Sequence, residues 1–176
     1  MQPVATSNIL RPFTVQDIDA VAHHANDPDL AANCGPHFPV PYTREHAAAF
    51  VTEKAGLTAP FTQLAICRPS DHVLVGTIGI VSSGLNDRCQ PYATLGYWVG
   101  REAAGQGYAS QALAAYTAYA FANWPHLHRL EAYVFEHNLA SQRVLEKAGF
   151  VHEARLPAHG HYKGKPVADF LFARYR

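Results

Sequence analysis

The sequence predicts an α/β domain with a strand-heavy middle rather than strict alternation of strand and helix, and three observations predict it. Apolar, β-rich runs recur at Ile9–Phe13, Phe61–Arg68, Val73–Val81, Tyr92–Val99, Arg129–Phe135, Val151–Tyr162 and Pro166–Tyr175, separated by Pro-, Gly-, Asn- and Asp-containing stretches. Apolar residues at helical spacing form four stretches in three of the intervals between them. Between the fourth run and the third helical stretch stands Gly105-Gln106-Gly107-Tyr108-Ala109. Strand, glycine turn and helix in that order leave free backbone N–H groups at a helix N-terminus, which suits phosphate. Glycine suits such a turn because it adopts positive φ and lets a ligand approach the backbone.

The elements follow from local signals. Thr14 with Asp17 three residues on reads as an N-cap and opens a helix ending near Ala25, with Ile18, Val21 and Ala22 as its apolar stripe. The segment 26–42 holds Pro28, Pro36, Pro39, Pro41 and Gly35 and reads as an irregular loop, either lining a site through Asn33, His37, Phe38 and Tyr42 or packed over the core edge. Thr43, with His46 three residues on, caps a helix over Arg44–Lys54 that buries Ala47, Phe50 and Val51. Pro69-Ser70-Asp71-His72 makes a hairpin turn between the second and third runs. A polar connection, 82–91, leads to the fourth. The helix after the glycine turn covers Gly107–Phe121, and Pro125 bars its extension. Asn138–Ala148 is a helix closed by Gly149, and Lys163-Gly164 turns the last two strands into a hairpin.

Bulk composition excludes several classes. A length of 176 residues suits one domain, residues 1–176, with a sizeable core. Fourteen basic and fourteen acidic residues give no general attraction to nucleic acid or an anionic membrane. No apolar run reaches membrane-span length and no signal-peptide pattern opens the chain, so a cytoplasmic protein is expected. Cys34, Cys67 and Cys89 are odd in number and far apart, which suits reduced thiols. The i,i+2 pairs His159/His161 and His126/His128 lack a third ligand at a usual spacing, and no metal is expected.

The glycine turn fits neither common nucleotide motif. A dinucleotide-binding turn follows the first strand, with an acidic residue about 20 positions on at the next strand's end. Here the turn follows three or four strands, and Glu131 lies near the start of the next one. A P-loop needs Lys-Ser/Thr after its last glycine, where Tyr108-Ala109 stands.

Two motifs together carry a resemblance. Ala104-Gly105-Gln106-Gly107-Tyr108-Ala109 is close to a Q/R-x-x-G-x-G/A signature, and Asn138 to Phe150 reads N-x-x-S-x-R-V-L-E-K-x-G-F. In that order and separation they resemble the GNAT superfamily of acetyl-CoA-dependent N-acetyltransferases, in its RimJ/RimL-like branch. Leu10-Arg11-Pro12-Phe13 and the close from Gly164 to Asp169 are similar to that branch as well. The resemblance implies a twisted mixed sheet, mostly antiparallel, of about seven strands and about four helices, with the fourth and fifth strands splayed around the cofactor.

It implies acetyl-CoA as co-substrate. The backbone of Tyr97, Trp98 and Val99 would pair with pantetheine, and the turn Ala104, Gly105, Gln106, Gly107, Tyr108 and Ala109 would take the pyrophosphate. Asn138 and Ser141, one helical turn apart, would meet the pantetheine and the thioester sulfur, while Asn138 also suits an N-cap. The thioester carbonyl would be polarised by a backbone N–H around Val99. The family's usual proton-donating tyrosine is replaced by Leu145, which leaves Ser141 as the donor. Thr94 stands where related sequences often carry glutamate, so Glu131 is the first carboxylate considered as base, with Asp169, His161 and His37 behind it. A purely structural ion-pair role for Glu131 remains open. Asn33, His37, Tyr42 and Tyr133 are the candidate acceptor contacts. The expected activity is acetyl transfer to a primary amine, a protein N-terminus or a small molecule, by a monomer or homodimer. The alternative is a non-catalytic acyl-CoA-binding module.

Overall fold

A computed structural model describes residues 8–35, 38–83 and 91–176. Seven strands form one sheet: β1 (Leu10–Arg11), β2 (Gln63–Cys67), β3 (Leu74–Ser83), β4 (Tyr92–Val99), β5 (Arg129–Phe135), β6 (Val151–Tyr162) and β7 (Lys165–Tyr175). Their spatial order is β1-β2-β3-β4-β5-β7-β6, with every neighbouring pair antiparallel except β4 and β5. Among the described residues five α-helices accompany them: α1 (Ile18–Ala25), α2 (Pro28–Asn33), α3 (Arg44–Ala55), α4 (Tyr108–Asn123) and α5 (Leu139–Lys147). The mixed, mostly antiparallel architecture matches the expectation. Among the described residues no helix is long and apolar enough to cross a membrane.

Alternation along the strands builds two cores, one on each face of the sheet. Leu64 and Ile66 of β2 join Ile78, Leu95, Leu130 and Val134 beneath Leu113, Tyr116 and Ala120 of α4 and Leu145 of α5. Ala65 and Cys67 turn to the other face, against Val21 and Ala25 of α1 and Ala47 and Val51 of α3. Leu145 is fully buried, so the residue that departs from the family's tyrosine is a core residue.

The segment read as an irregular loop contains α2. Pro28 sits at its first positions, where a missing N–H costs nothing, and Asp27 Oδ1 accepts from the N–H groups of Asp29 (2.9 Å) and Leu30 (3.4 Å). The proline therefore starts a helix rather than breaking one. Tyr42, expected at the acceptor site, is instead 8% exposed in the second core, with its ring 5.0 Å from Phe38. That expectation is corrected: Tyr42 packs in one cluster with Phe13, Ala47 and Val51 and does not line the cleft between β4 and β5.

The Thr14 signal holds. Thr14 N–H donates to Asp17 Oδ2 (2.8 Å), and Arg11 forks onto both oxygens of the same buried carboxylate at 2.8 and 2.6 Å. Burial pushes the Asp17 pKa up, but the hydrogen bonds from Arg11 and Thr14 together hold it below the ordinary carboxylate value. A depressed folded pKa adds stability above the unfolded pKa and loses it as pH falls through the folded one. Asp17→Asn is therefore expected to cost about 1–3 kcal/mol in urea unfolding at pH 7. The gap to wild type should close as pH is lowered through the acid range. An equal gap at all pH values would contradict the ionised pairing.

Candidate functional site

The pairing of β4 with β5 lasts three residues, Tyr92↔Arg129, Ala93↔Leu130 and Thr94↔Glu131. Beyond Thr94, β4 continues to Val99 bonded only to β3, and β5 continues to Phe135 bonded only to β7. Two strand edges thus face each other across a wedge, with their ladder groups unpaired. A cleft of about 1190 Å³ fills the wedge and runs out to the glycine turn.

At its outer end, Gly105 and Gly107 take φ of +77° and +84°, and Gly107 is the N-cap of α4. The first amide to close back into the helix is Gln111, onto the Gly107 carbonyl at 3.1 Å. The N–H groups of Tyr108, Ala109 and Ser110 point out of the helix end, as helix geometry requires. Ala104, Gly105, Gly107, Tyr108 and Ala109 line the cleft, as do Tyr97, Trp98 and Val99. Gln106 does not; its side chain turns back and donates to the Glu102 carbonyl at 2.9 Å. The tripeptide just before this turn is anchored by Arg101, which pairs with Asp27 (2.8 Å) and Asp29 (2.8 Å) and so ties α2 to it. Those hydrogen bonds hold the Asp27 carboxyl down at about 2.

At the inner end, Asn138 caps α5, its Oδ1 accepting from Ser141 N–H at 3.1 Å. Its Nδ2 donates to Asn33 Oδ1 (3.3 Å), joining the two walls of the cleft. Ser141 Oγ shares a 2.8 Å hydrogen bond with the Tyr97 hydroxyl. Burial pushes the Tyr97 phenol up to about 12, so it stays protonated at neutral pH. This hydroxyl pair is absent from the sequence reading, which gave Tyr97 a backbone role alone. Forty-four residues separate the partners, and no local pattern announces them.

Tyr133 and Asn33 line the cleft; His37 lies outside the described residues. Glu131 does not line it. Only 7% exposed, it accepts from Arg129 Nε (3.1 Å), Tyr133 Oη (3.1 Å) and Thr94 Oγ1 (3.4 Å). The shared face of Glu131 and Tyr133 is as expected, and of the two roles left open for Glu131 the structure shows the ion pair. Its oxygens are occupied, and it sits where the two strands still pair.

His159, His161 and Asp169 do line the cleft. Among the described residues the pairs His159/His161 and His126/His128 gather no third ligand; the group spaced for a metal is His23, His24 and Glu102, with ligand atoms within 4.8 Å. It borders a separate cavity of about 290 Å³ behind the turn. Cys34 and Cys67 are free thiols.

Comparison with known proteins bears on this arrangement. The family model for the acetyltransferase (GNAT) domain matches residues 8–151. The uncharacterized N-acetyltransferase p20 of Bacillus licheniformis is 25% identical over 166 residues, 93% of this chain and 90% of that one. Mycobacterium smegmatis RimJ, solved in complex with CoA-disulfide, is similar in fold at a TM-score of 0.74 and 24% identity, over 94% of this chain and 80% of that one. RimL, a ribosomal alpha-N-protein acetyltransferase solved with coenzyme A, is similar at a TM-score of 0.78 and 19% identity, over 99% and 98%.

Proposed function

The chain belongs to the acetyltransferase (GNAT) family, an acetyl-CoA-dependent family of enzymes, and on that premise we propose that it moves the acetyl group of acetyl-CoA to a primary amine. The observation that carries the reading is the wedge between β4 and β5, with a turn of outward amides at its mouth. The pyrophosphate meets the amides of Gly105 to Ala109 and the positive end of α4. The pantetheine arm lies along the open edge of β4 at Tyr97, Trp98 and Val99, as an added strand would. Five extended residues span about 16 Å. An arm anchored beyond Val99 therefore brings its thioester down toward Leu95 and Gly96. The polarising amide belongs there rather than at Val99.

Catalysis then needs few groups. Holding amine and thioester together supplies a large share of the rate. An oriented backbone N–H stabilises the oxyanion. Ser141 donates a proton to the leaving thiolate, and the neutral Tyr97 hydroxyl behind it keeps its orientation. Asn138 holds the first turn of α5 and keeps Ser141 facing the cleft. Asn33 and Tyr133 flank the acceptor's approach, which suits a protein N-terminus, as in RimL, or a small amine. Residues 1–176 act as one domain, because β7, beyond the family match, lies between β5 and β6 in the same sheet.

The test is thiol release from acetyl-CoA against a panel of small amines and N-terminal peptides. Release above the hydrolysis rate with at least one acceptor is expected; cofactor binding without such release would sink the proposal. Gly107→Glu should abolish binding of coenzyme A in calorimetry, by bulk, charge and an unfavourable φ, and retained affinity would show the turn to be misassigned. Ser141→Ala should lower kcat about 100-fold with little change in cofactor affinity. Unchanged kcat would remove Ser141 from the proton path.

A further inference from the structure

The hairpin of β6 and β7 contains an irregularity that a regular sheet does not require. Leu156 faces Asp169 and Gly160 faces Val167, so Pro157, Ala158 and His159 all stand opposite Ala168. Ala158 takes φ +52°, a left-handed conformation that a side-chain-bearing residue adopts at a cost of about 1–2 kcal/mol. Bulges of this kind bend a strand and re-aim a side chain, and they gather beside active sites.

What this one re-aims is His159. Its Nδ1 lies 2.7 Å from Asp169 Oδ2, and its ring stacks on Tyr133 with centroids 5.1 Å apart and planes 20° from parallel. An ionised carboxylate only accepts, so Nδ1 carries the proton and Nε2 of the neutral ring is left with a free lone pair. Asp169 is 6% exposed, and its Oδ1 has no hydrogen-bond partner among the described residues. It fits beneath the bulge because residue 160 is glycine. A Cβ there would stand 2.5 Å from Phe135 Cε1 and 2.9 Å from Asp169 Oδ1.

The register gives the height of His159 in the cleft. Tyr133 lies two residues past Glu131 on β5, as Gly96 lies two past Thr94 on β4. The imidazole stacked on Tyr133 is therefore level with the inner end of the wedge, where the thioester falls. The groups that meet the ring are Asp169 from β7 and Tyr133 from β5. Behind Tyr133 stand Glu131 and Arg129, and His161 follows on the same strand.

We propose that His159 is the general base for the acceptor amine, with Asp169 as its positioning residue. This role rests on the acetyl-transfer reading above. Neutral His159 takes one proton from the acceptor's ammonium at Nε2, and the freed lone pair attacks the thioester carbon. The C–N bond forms and the C–S bond breaks. The second nitrogen proton reaches sulfur by way of the Ser141 hydroxyl, and His159 returns its own proton to solvent. The products are the acetylated amine, coenzyme A as its thiol and one proton in solution. Glu131, bound to Arg129 and outside the cleft, has no part in it.

Two measurements test the dyad. With the best acceptor from the amine panel, His159→Gln should lower kcat by about 10²–10³-fold. Its acetyl-CoA affinity should stay within about twofold, and the acidic limb of the pH–rate profile should disappear. Asp169→Asn should lower kcat less than His159→Gln does, with acetyl-CoA affinity again within about twofold. Wild-type kcat and an intact limb in His159→Gln would overturn the proposal and leave acetyl transfer standing. A wild type that acetylates no amine brings down the underlying reading and this role with it. Ring-nitrogen NMR needs no turnover: the neutral His159 ring should carry its proton on Nδ1 in wild type and lose that preference in Asp169→Asn. A ring protonated on Nε2 would overturn the assignment.

Discussion

Two parallel strands that pair for three residues and then part are the constraint on which the rest of this structure depends. Unpaired ladder groups inside a domain are costly, and a sheet normally closes such a gap. Here each strand is secured on its outer edge, β4 by β3 and β5 by β7, so the inner edges open without unravelling the sheet. The wedge is left to be completed by a ligand that can hydrogen-bond as a strand does.

The closed end is secured by charge as well as by backbone. Arg129 pairs with Glu131 and with Glu153 (2.7 Å) and meets the Tyr175 hydroxyl, tying β5, β6 and β7 together beside the last paired residues. Glu131 is thereby committed to the sheet. The carboxylate that the sequence offered as a base belongs to the hinge of the wedge instead. At the open end the Arg101 bridge to Asp27 and Asp29 is exposed on the arginine side, and solvent screens it. Its consequence is placement, since it sets α2 and Asn33 over the cleft.

The two ends divide the chemistry. Backbone amides and a helix terminus face the outer end, where the proposed phosphate site needs glycines and little else from its side chains. The proposed reacting end draws on side chains from four elements that line the cleft: Tyr97 on β4, Ser141 on α5, His159 on β6 and Asp169 on β7. Local irregularity appears where a side chain must be aimed, in the bulge beside His159 and the left-handed Ala158.

The sequence by itself determined most of the elements and the glycine turn before α4. β4 and β5 run over the predicted residues, and Pro91 and Gly100 bound β4 locally. The caps at Thr43 and Asn138 are short-range hydrogen bonds written three residues apart. The glycine turn was legible for the same reason: positive φ and free amides are properties of five adjacent residues. Pro28 misled because a proline that breaks a helix and one that begins it look alike until Asp27 is seen to cap. Only the tertiary structure decided which side chains share the cleft. Tyr42 disappears into a core assembled from three distant segments, and Glu131 into a pair with Arg129 whose other partner lies 24 residues further on. His159 meets Asp169 only through a hairpin register shifted by a bulge, and Tyr97 meets Ser141 across 44 residues, β4 to α5. Local backbone preference is encoded residue by residue, whereas the convergence of side chains depends on strand pairing and register that distant parts of the chain settle together.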